Sequence, residues 1–437
     1  MKSWFLKEST DRARIDMDDY GQAFRRVSGP KEKDRGRRRF IDLVAWRMAF
    51  AAIRSGETNR RGFFFSTNQF DFETRAKAAP AVLEGLKSSA ADLAELRAAS
   101  RRPYSQYPVI YDLEDPWGIR IPHLERIKGI VPRLKLRACA ELAASQSENA
   151  LEDVNLMLYL ADSLKEEPLL VSYLVRIECL QIAAQPVWEG LAEHGWSEAQ
   201  LKELQTRFLR YDFLNDLKRP LGGERAAGIL TADLLYRKKY HLSDLLDLPP
   251  STFADLIGRI APRGWYCQEQ LNYCRLYENQ LEGTFDAVKR RVSPGQIQIR
   301  ASELEREIAR GRLGKTLNAV VHHQLLAAML LPTLTRLPYR AAVAQTTADQ
   351  AALACALERY RLANGQFPET LEALVPRLLE RMPNDVITGE PLKYRRGENG
   401  RFVLYSVGWN EKDEGGLPGK WLYDERQGDW VWRYLAE

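Results

Sequence analysis

Cysteine is scarce, with five in 437 residues: Cys139, Cys179, Cys267, Cys274 and Cys355, and no Cys-x-x-Cys pair. That spacing excludes a zinc ribbon and a thioredoxin-type redox site. Cys267 and Cys274, seven apart on one face of an expected helix, read as buried core thiols. Long apolar runs are lacking too. The stretch "FIDLVAWRMAFAAI" at 40–53 carries Asp42 and Arg47, and "LLAAMLLPTL" at 325–334 is about half the length of a bilayer span. The N-terminus turns acidic before an apolar core can form, so no signal peptide is expected. The chain as given is therefore expected to hold no transmembrane helix. Catalytic signatures are also missing. There is no Gly-x-Ser-x-Gly elbow and no cysteine with an evident histidine partner. His123, His194 and His241 have no HExxH-like companion, and the adjacent His322 and His323 point to different sides of a helix, so they cannot chelate together.

What is present fits a globular chain of two or three domains, 45% hydrophobic and 10% aromatic. The net charge of +5 is local: residues 1–61 hold 16 Lys and Arg against 9 Asp and Glu, a surplus of +7, which leaves the remainder at −2. A uniformly basic nucleic-acid binder is excluded, and nucleic acid is not the expected partner. The surplus peaks in "KEKDRGRRRF" at 31–40. That run suits phosphate or lipid headgroups, or a nucleic-acid contact through 31–39, and equally a solvated arm.

From 123 to about 286, apolar residues recur at helical spacing between short polar turns, as in "ENALEDVNLMLYLADSLKEEP" and "LLVSYLVRIECLQIAAQPVWEGLAEHG". Ser197 before "EAQLKELQTRFL" suits an N-cap. Such short connections imply antiparallel helical hairpins. Before them, "DLAELRAASRR" reads as a helix and "RPYSQYPVIYDLEDPWGIRIPH" as an ordered loop anchored by aromatics. In "PLGGERAAG" the glycines are expected to close one helix, with Glu224 and Arg225 opening the next; the Lys-Ser/Thr of a phosphate loop is missing. A long helical stretch from about 301 to 363 should bend or break near Pro332 and Pro338.

The end of the chain changes character. Leu353, Leu357 and Tyr360 share a helical face, Asn364-Gly365 supplies a left-handed stop, and Pro368 sets up a short second helix, "ETLEALV". Beyond it the period turns to two. "PLKYRRGENGRFVLYSVG" reads as a hairpin about Gly397 and Gly400, and "KWLYDERQGDWVWRYL" as a second strand pair with Trp421, Tyr423, Trp430 and Trp432 packing across it. The fold class expected is α+β, mostly α: a helical-hairpin body with a C-terminal long helix on a small antiparallel sheet. The divisions expected are a basic, disordered arm at 1–36, an all-α body at 37–300 and the α+β module at 301–437.

"LAAMLLPTL", "ALERYRLANGQFPETLEALV", "MPNDVITGEPLKY", "FVLYSVGWNEKDEGG" and "GDW", in this order, make the last quarter similar to the major pseudopilin of type II secretion systems. The resemblance implies a pseudopilin-like module and a calcium site in the loop after "LYSVG". On it, Leu404 and Ser406 match the carbonyl and hydroxyl donors, Asn410 stands at the first aspartate position and Asp429 matches a later one. Asp413 and Glu414 are further acids in the loop. Calcium takes six to eight oxygens, which such a set can offer, although Asn410 lowers the charge, and the same residues are also plain turn formers. The family's leader, Gly-Phe junction and N-terminal glutamate are missing: "GKTLNAVVHHQ" stands there, with Ala319 at the glutamate position. Neither prepilin processing nor polymerisation through an N-terminal helix is expected. Upstream, "YPVIYDLEDPWGIRIPHL", "QPVWEGL" and "RPLGGERAAG" resemble an uncharacterised family of bacterial envelope-associated helical proteins whose members usually begin with a membrane anchor.

The function expected is that of a non-enzymatic, envelope-associated interaction protein with a protein partner. The alternative is a hydrolase or carbohydrate-binding protein using Asp112, Glu114 and Asp115 beside Trp117 in the segment 104–117.

Overall fold

The computed structural model describes residues 19–24, 27, 36–55, 71–241, 261–308, 319, 321–397 and 400–434. In chain order the helices are α1 (Asp19–Phe24), α2 (Leu43–Arg54), α3 (Phe72–Gly85), α4 (Ala90–Ser100), α5 (Pro122–Ala143), α6 (Ser147–Asp162), α7 (Leu170–Ala192), α8 (Glu198–Leu209), α9 (Phe213–Asp216), α10 (Lys218–Tyr236) and α11 (Arg263–Leu281). A two-stranded ladder, β1 (Phe285–Asp286) and β2 (Arg291–Val292), precedes α12 (Pro294–Ile308), α13 (Leu325–Leu334) and α14 (Leu337–Asn364). Strands β3 (Lys393–Arg396), β4 (Phe402–Ser406) and β5 (Trp430–Arg433) are the last elements among the described residues. The fold is α+β and mostly α.

Side chains near the start mark several helix boundaries. Asp42 accepts the Ala45 N–H at 2.8 Å, Asp71 accepts that of Thr74 at 2.8 Å, and Ser197 forms a reciprocal capping box with Gln200. Helices α5, α6 and α7 pack on one another as hairpin neighbours. α13 ends at Leu334 and α14 begins at Leu337, so the break falls between Pro332 and Pro338 as expected. The stop at the other end is also as expected: Gly365 adopts φ +78°, and its N–H donates to the Arg361 carbonyl at 2.8 Å.

Helix α14 is the spine of the molecule. Every residue at 341–358 is buried. α7 and α8 cover it from the body, and β4 lies on it from the module, so one hydrophobic cluster runs from Leu93 to Tyr434. Alanines at 341, 342, 344, 348, 351, 352, 354 and 356 let these neighbours approach closely. A buried polar stretch, "QTTADQ" at 345–350, pins its register on both sides. Gln345 Oε1 accepts the Phe213 N–H at 2.9 Å, and its Nε2 donates to the Tyr211 carbonyl at 3.2 Å. Thr347 donates to Tyr423 Oη at 2.7 Å, and Gln350 to the Trp430 carbonyl at 2.6 Å.

The sheet order is β3-β4-β5, antiparallel throughout, with Leu404 opposite Tyr394 on one side and Trp432 on the other. The hairpin about Gly397 and Gly400 is present. The second strand pair is not: β5 pairs with β4, and 420–428 is a run of turns. The Asp424 carboxylate folds them by accepting the Lys420, Trp421 and Arg426 N–H groups. "ETLEALV" yields only a 3-10 turn at Leu371–Leu374. The sequence reading also missed α3, an alanine-rich helix with Pro80 inside it, and the β1–β2 ladder in the stretch expected to be wholly helical.

Candidate functional site

The acidic loop between β4 and β5 is held by Asp429, which is only 1% exposed. Its Oδ2 accepts the Gly416 N–H at 2.6 Å and its Oδ1 the Glu414 N–H at 3.3 Å, while its own N–H donates to the Leu417 carbonyl at 2.8 Å. Burial, together with the neighbouring Glu414 carboxylate, raises the Asp429 carboxyl above its ordinary range. Glu414 accepts Asn410 Nδ2 at 2.6 Å on one oxygen, and its other oxygen is buried beside the Asp429 carboxylate. Asn410 Oδ1 accepts the Lys412 N–H at 3.1 Å. Asn410, Glu414 and Asp429 are thus brought together.

The other residues of the expected set are engaged elsewhere. Leu404 lies fully buried in the central strand, and the Ser406 hydroxyl donates to Asp385 at 2.9 Å. Asp413 accepts Tyr405 Oη at 3.1 Å and the Gly415 N–H at 2.9 Å. Asp385 was not singled out in the sequence, yet its buried carboxylate also accepts the Ile387 and Val407 N–H groups and ties the "NDVITGE" turn to the end of β4. Among the described residues no group of three or more His, Cys, Asp or Glu side chains is placed to hold a metal ion. Calcium also takes amide and backbone oxygens, and the adjoining Glu414 and Asp429 carboxylates fit a hard divalent cation chemically.

The segment 104–117 uses its acids internally. Asp112 accepts the Glu114 N–H at 2.8 Å, Glu114 pairs with Lys239, and Asp115 accepts Tyr240 Oη and the Gly118 N–H. Trp117 Nε1 donates to Thr231 at 2.8 Å, and Tyr107 bonds Ser163 at 2.8 Å while stacking on His123. These contacts hold an irregular segment on the helical body. A cleft of about 860 Å³ lies elsewhere, between α10, α11 and the β1–β2 ladder, lined by Leu221, Tyr277 and Phe285, with Arg225 paired to Glu278 on its rim.

Other motifs take structural places. The glycines of "PLGGERAAG" do not close a helix but lie inside α10. A Cβ on Gly223 would collide with the Pro168 carbonyl, and one on Gly228 with the Tyr273 ring. Close approach of the loop before α7 explains the first, and packing against α11 explains the second. Cys267 is exposed and Cys274 half-buried, so neither is the core thiol expected. Of the basic run, 31–35 lies outside the described residues; Arg38 is buried, and its guanidinium sits 5.0 Å from the centre of the Trp432 ring. No helix among the described residues is long and apolar enough to cross a membrane.

No protein-family model matches the chain, and no solved structure matches it. It is similar to the type II secretion system core protein G of Pseudomonas aeruginosa, with 34% identity over 109 residues, covering 21% of this chain and 76% of that protein.

Proposed function

Over about a fifth of its length the chain belongs to the family of the type II secretion system core protein G, and from that premise we propose a non-enzymatic protein of the bacterial cell envelope that serves secretion or its assembly by binding another protein. The observation that carries this reading is the burial of α14. The spine helix of the pseudopilin-like module has the body on one side and the sheet on the other, so its faces are already occupied within the chain. What the module offers a partner is its loop surface, where Leu417 is 62% exposed and Trp421 42%. The acids of 104–117 are committed to intramolecular contacts, which leaves the hydrolase alternative without support.

Calcium belongs to the same proposal. Asn410 Oδ1, Glu414 and Asp429 would hold it, and the ion would supply the positive charge that two adjoining carboxylates call for, fixing the loop from which Leu417 and Trp421 project.

The test is photocrosslinking from a benzoyl-phenylalanine placed at Leu417 or Trp421 of the full chain in its native cells. A crosslinked protein of the type II secretion apparatus is expected. Crosslinks confined to proteins outside that apparatus from both positions would overturn the reading.

A further inference from the structure

Residues 36–41 run along the seam between body and module and touch both. On the module side, a Cβ on Gly36 would collide with the Gly419 carbonyl, and Arg38 Nη2 donates to Tyr423 Oη at 3.2 Å. On the body side, the Arg39 carbonyl accepts Gln185 Nε2 at 2.6 Å, and the Ile41 N–H donates to the buried Glu189 at 2.8 Å. Phe40 sits edge-on to Phe72, and its ring centre lies 5.1 Å from that of Trp188. Glu189 in turn pairs with buried Arg75, which anchors this end of the segment on α3 and α7.

Each module contact leads to the acidic loop in one or two steps. Gly419 follows Leu417 and Pro418: the Leu417 carbonyl accepts the Asp429 N–H, and Pro418 bridges Asp429. Gly428 is packed so tightly on Gly419 that a Cβ there would meet its backbone. Tyr423 lies edge-on to Trp430, the residue after Asp429. The loop's conformation and the seating of 36–41 therefore share one set of close backbone contacts. A packed contact of this kind cannot deform continuously, so loosening one end loosens the other.

We propose that 36–41 is a strap whose docking is thermodynamically coupled to the order of the loop 410–429, so that a cation bound in the loop tightens the strap and a seated strap tightens the cation site. Reciprocity follows from linkage: whatever factor one event contributes to the other, it receives back. The cation half rests on the calcium reading above; the coupling of strap to loop does not.

The experiment uses the full chain with two strap variants, Arg38→Met, which removes the hydrogen bond to Tyr423 of the module, and Phe40→Ala, which removes the ring contacts to Phe72 and Trp188 of the body. In metal-free buffer, amide exchange in peptides spanning 414–430 is compared with exchange in α6 of the same molecule. In both variants the loop should exchange faster, by about fivefold or more, with α6 unchanged. Unchanged loop exchange in both variants overturns the strap. Calcium is then titrated by calorimetry. Wild type should bind several-fold more tightly than either variant, and calcium should slow tryptic cleavage after Arg37 and Arg39 in wild type but not in Asp429→Ala. No calcium binding by wild type overturns the calcium reading and leaves the exchange result to decide the strap; equal calcium affinity in wild type and both variants overturns the coupling.

Discussion

Replacing Gln345 with leucine removes the polar pin that joins the spine helix to the body. The Phe213 N–H loses its acceptor at 2.9 Å, and the Tyr211 carbonyl loses its donor at 3.2 Å, keeping only a long contact to Arg290 at 3.5 Å. A buried backbone group left without a partner costs about 1–3 kcal/mol. Buried Asp349 also loses the Gln345 Nε2 donor at 3.1 Å and keeps Arg290 at 3.3 Å, so with one group fully orphaned and two partly the expected loss is at least about 2–4 kcal/mol, a large share of the roughly 5–15 kcal/mol that holds a domain folded. Leucine is close in size to glutamine, so a cavity adds little. Urea unfolding followed in parallel by tryptophan fluorescence and far-UV circular dichroism measures it. Tryptophans lie in both body and module, while circular dichroism follows mainly the helices of the body, so one shared core requires both probes to shift together, to a lower midpoint at an unchanged slope. The neighbouring position supplies the contrast. Thr346 is buried, and its hydroxyl has no hydrogen-bond partner among the described residues, so Thr346→Val should be neutral or stabilising by up to about 1 kcal/mol. A Gln345→Leu loss below about 1 kcal/mol, or module and body unfolding at separate midpoints, refutes the reasoning.

Three further outcomes are expected. Glu269 is buried with its oxygens accepting the Leu325 and Leu326 N–H groups, and burial pushes its carboxyl up to about 7 from 4.5. The folded state therefore favours the protonated form: the contribution is full below pH 4.5 and is lost as pH rises through about 7. The loss is about 3 kcal/mol at roughly 1.36 kcal/mol per unit. Wild type should lose more stability than Glu269→Gln between pH 4.5 and 7.5 in parallel urea titrations, and equal slopes would refute it. Calcium should raise the melting temperature of the full chain, a chelator should reverse the rise, and Asp429→Ala should abolish it; no shift in wild type counts against the site. Gly365→Ala should cost about 1 kcal/mol in the same urea assay, because alanine is strained at φ +78° while open space surrounds the position.

Features set by local chemistry were legible in the sequence. The break between Pro332 and Pro338, the left-handed Gly365, the Ser197 cap and the β3–β4 hairpin each follow from a few adjacent residues. What was not legible depends on distant partners. The alternation in "KWLYDERQGDWVWRYL" is strand-like, but Asp424 gathers three backbone N–H groups and converts half of it to turns, a choice visible only once β5 pairs with β4. The "PLGGERAAG" glycines look like punctuation until Pro168 and Tyr273 are seen to press on them. At the candidate site, sequence matching singled out Asn410 and Asp429 together with residues that the fold uses otherwise, and Glu414 stood out only as a further acid in the loop. Ser406 serves Asp385, and Asp413 serves Tyr405, because these contacts bring together segments that lie apart in the chain.

The most direct test of the functional account is the amount of type II-dependent protein in the culture medium of native cells lacking this chain, with and without complementation. The account predicts a several-fold fall, restored by the wild-type chain. Unchanged secretion in the deletion strain would contradict it.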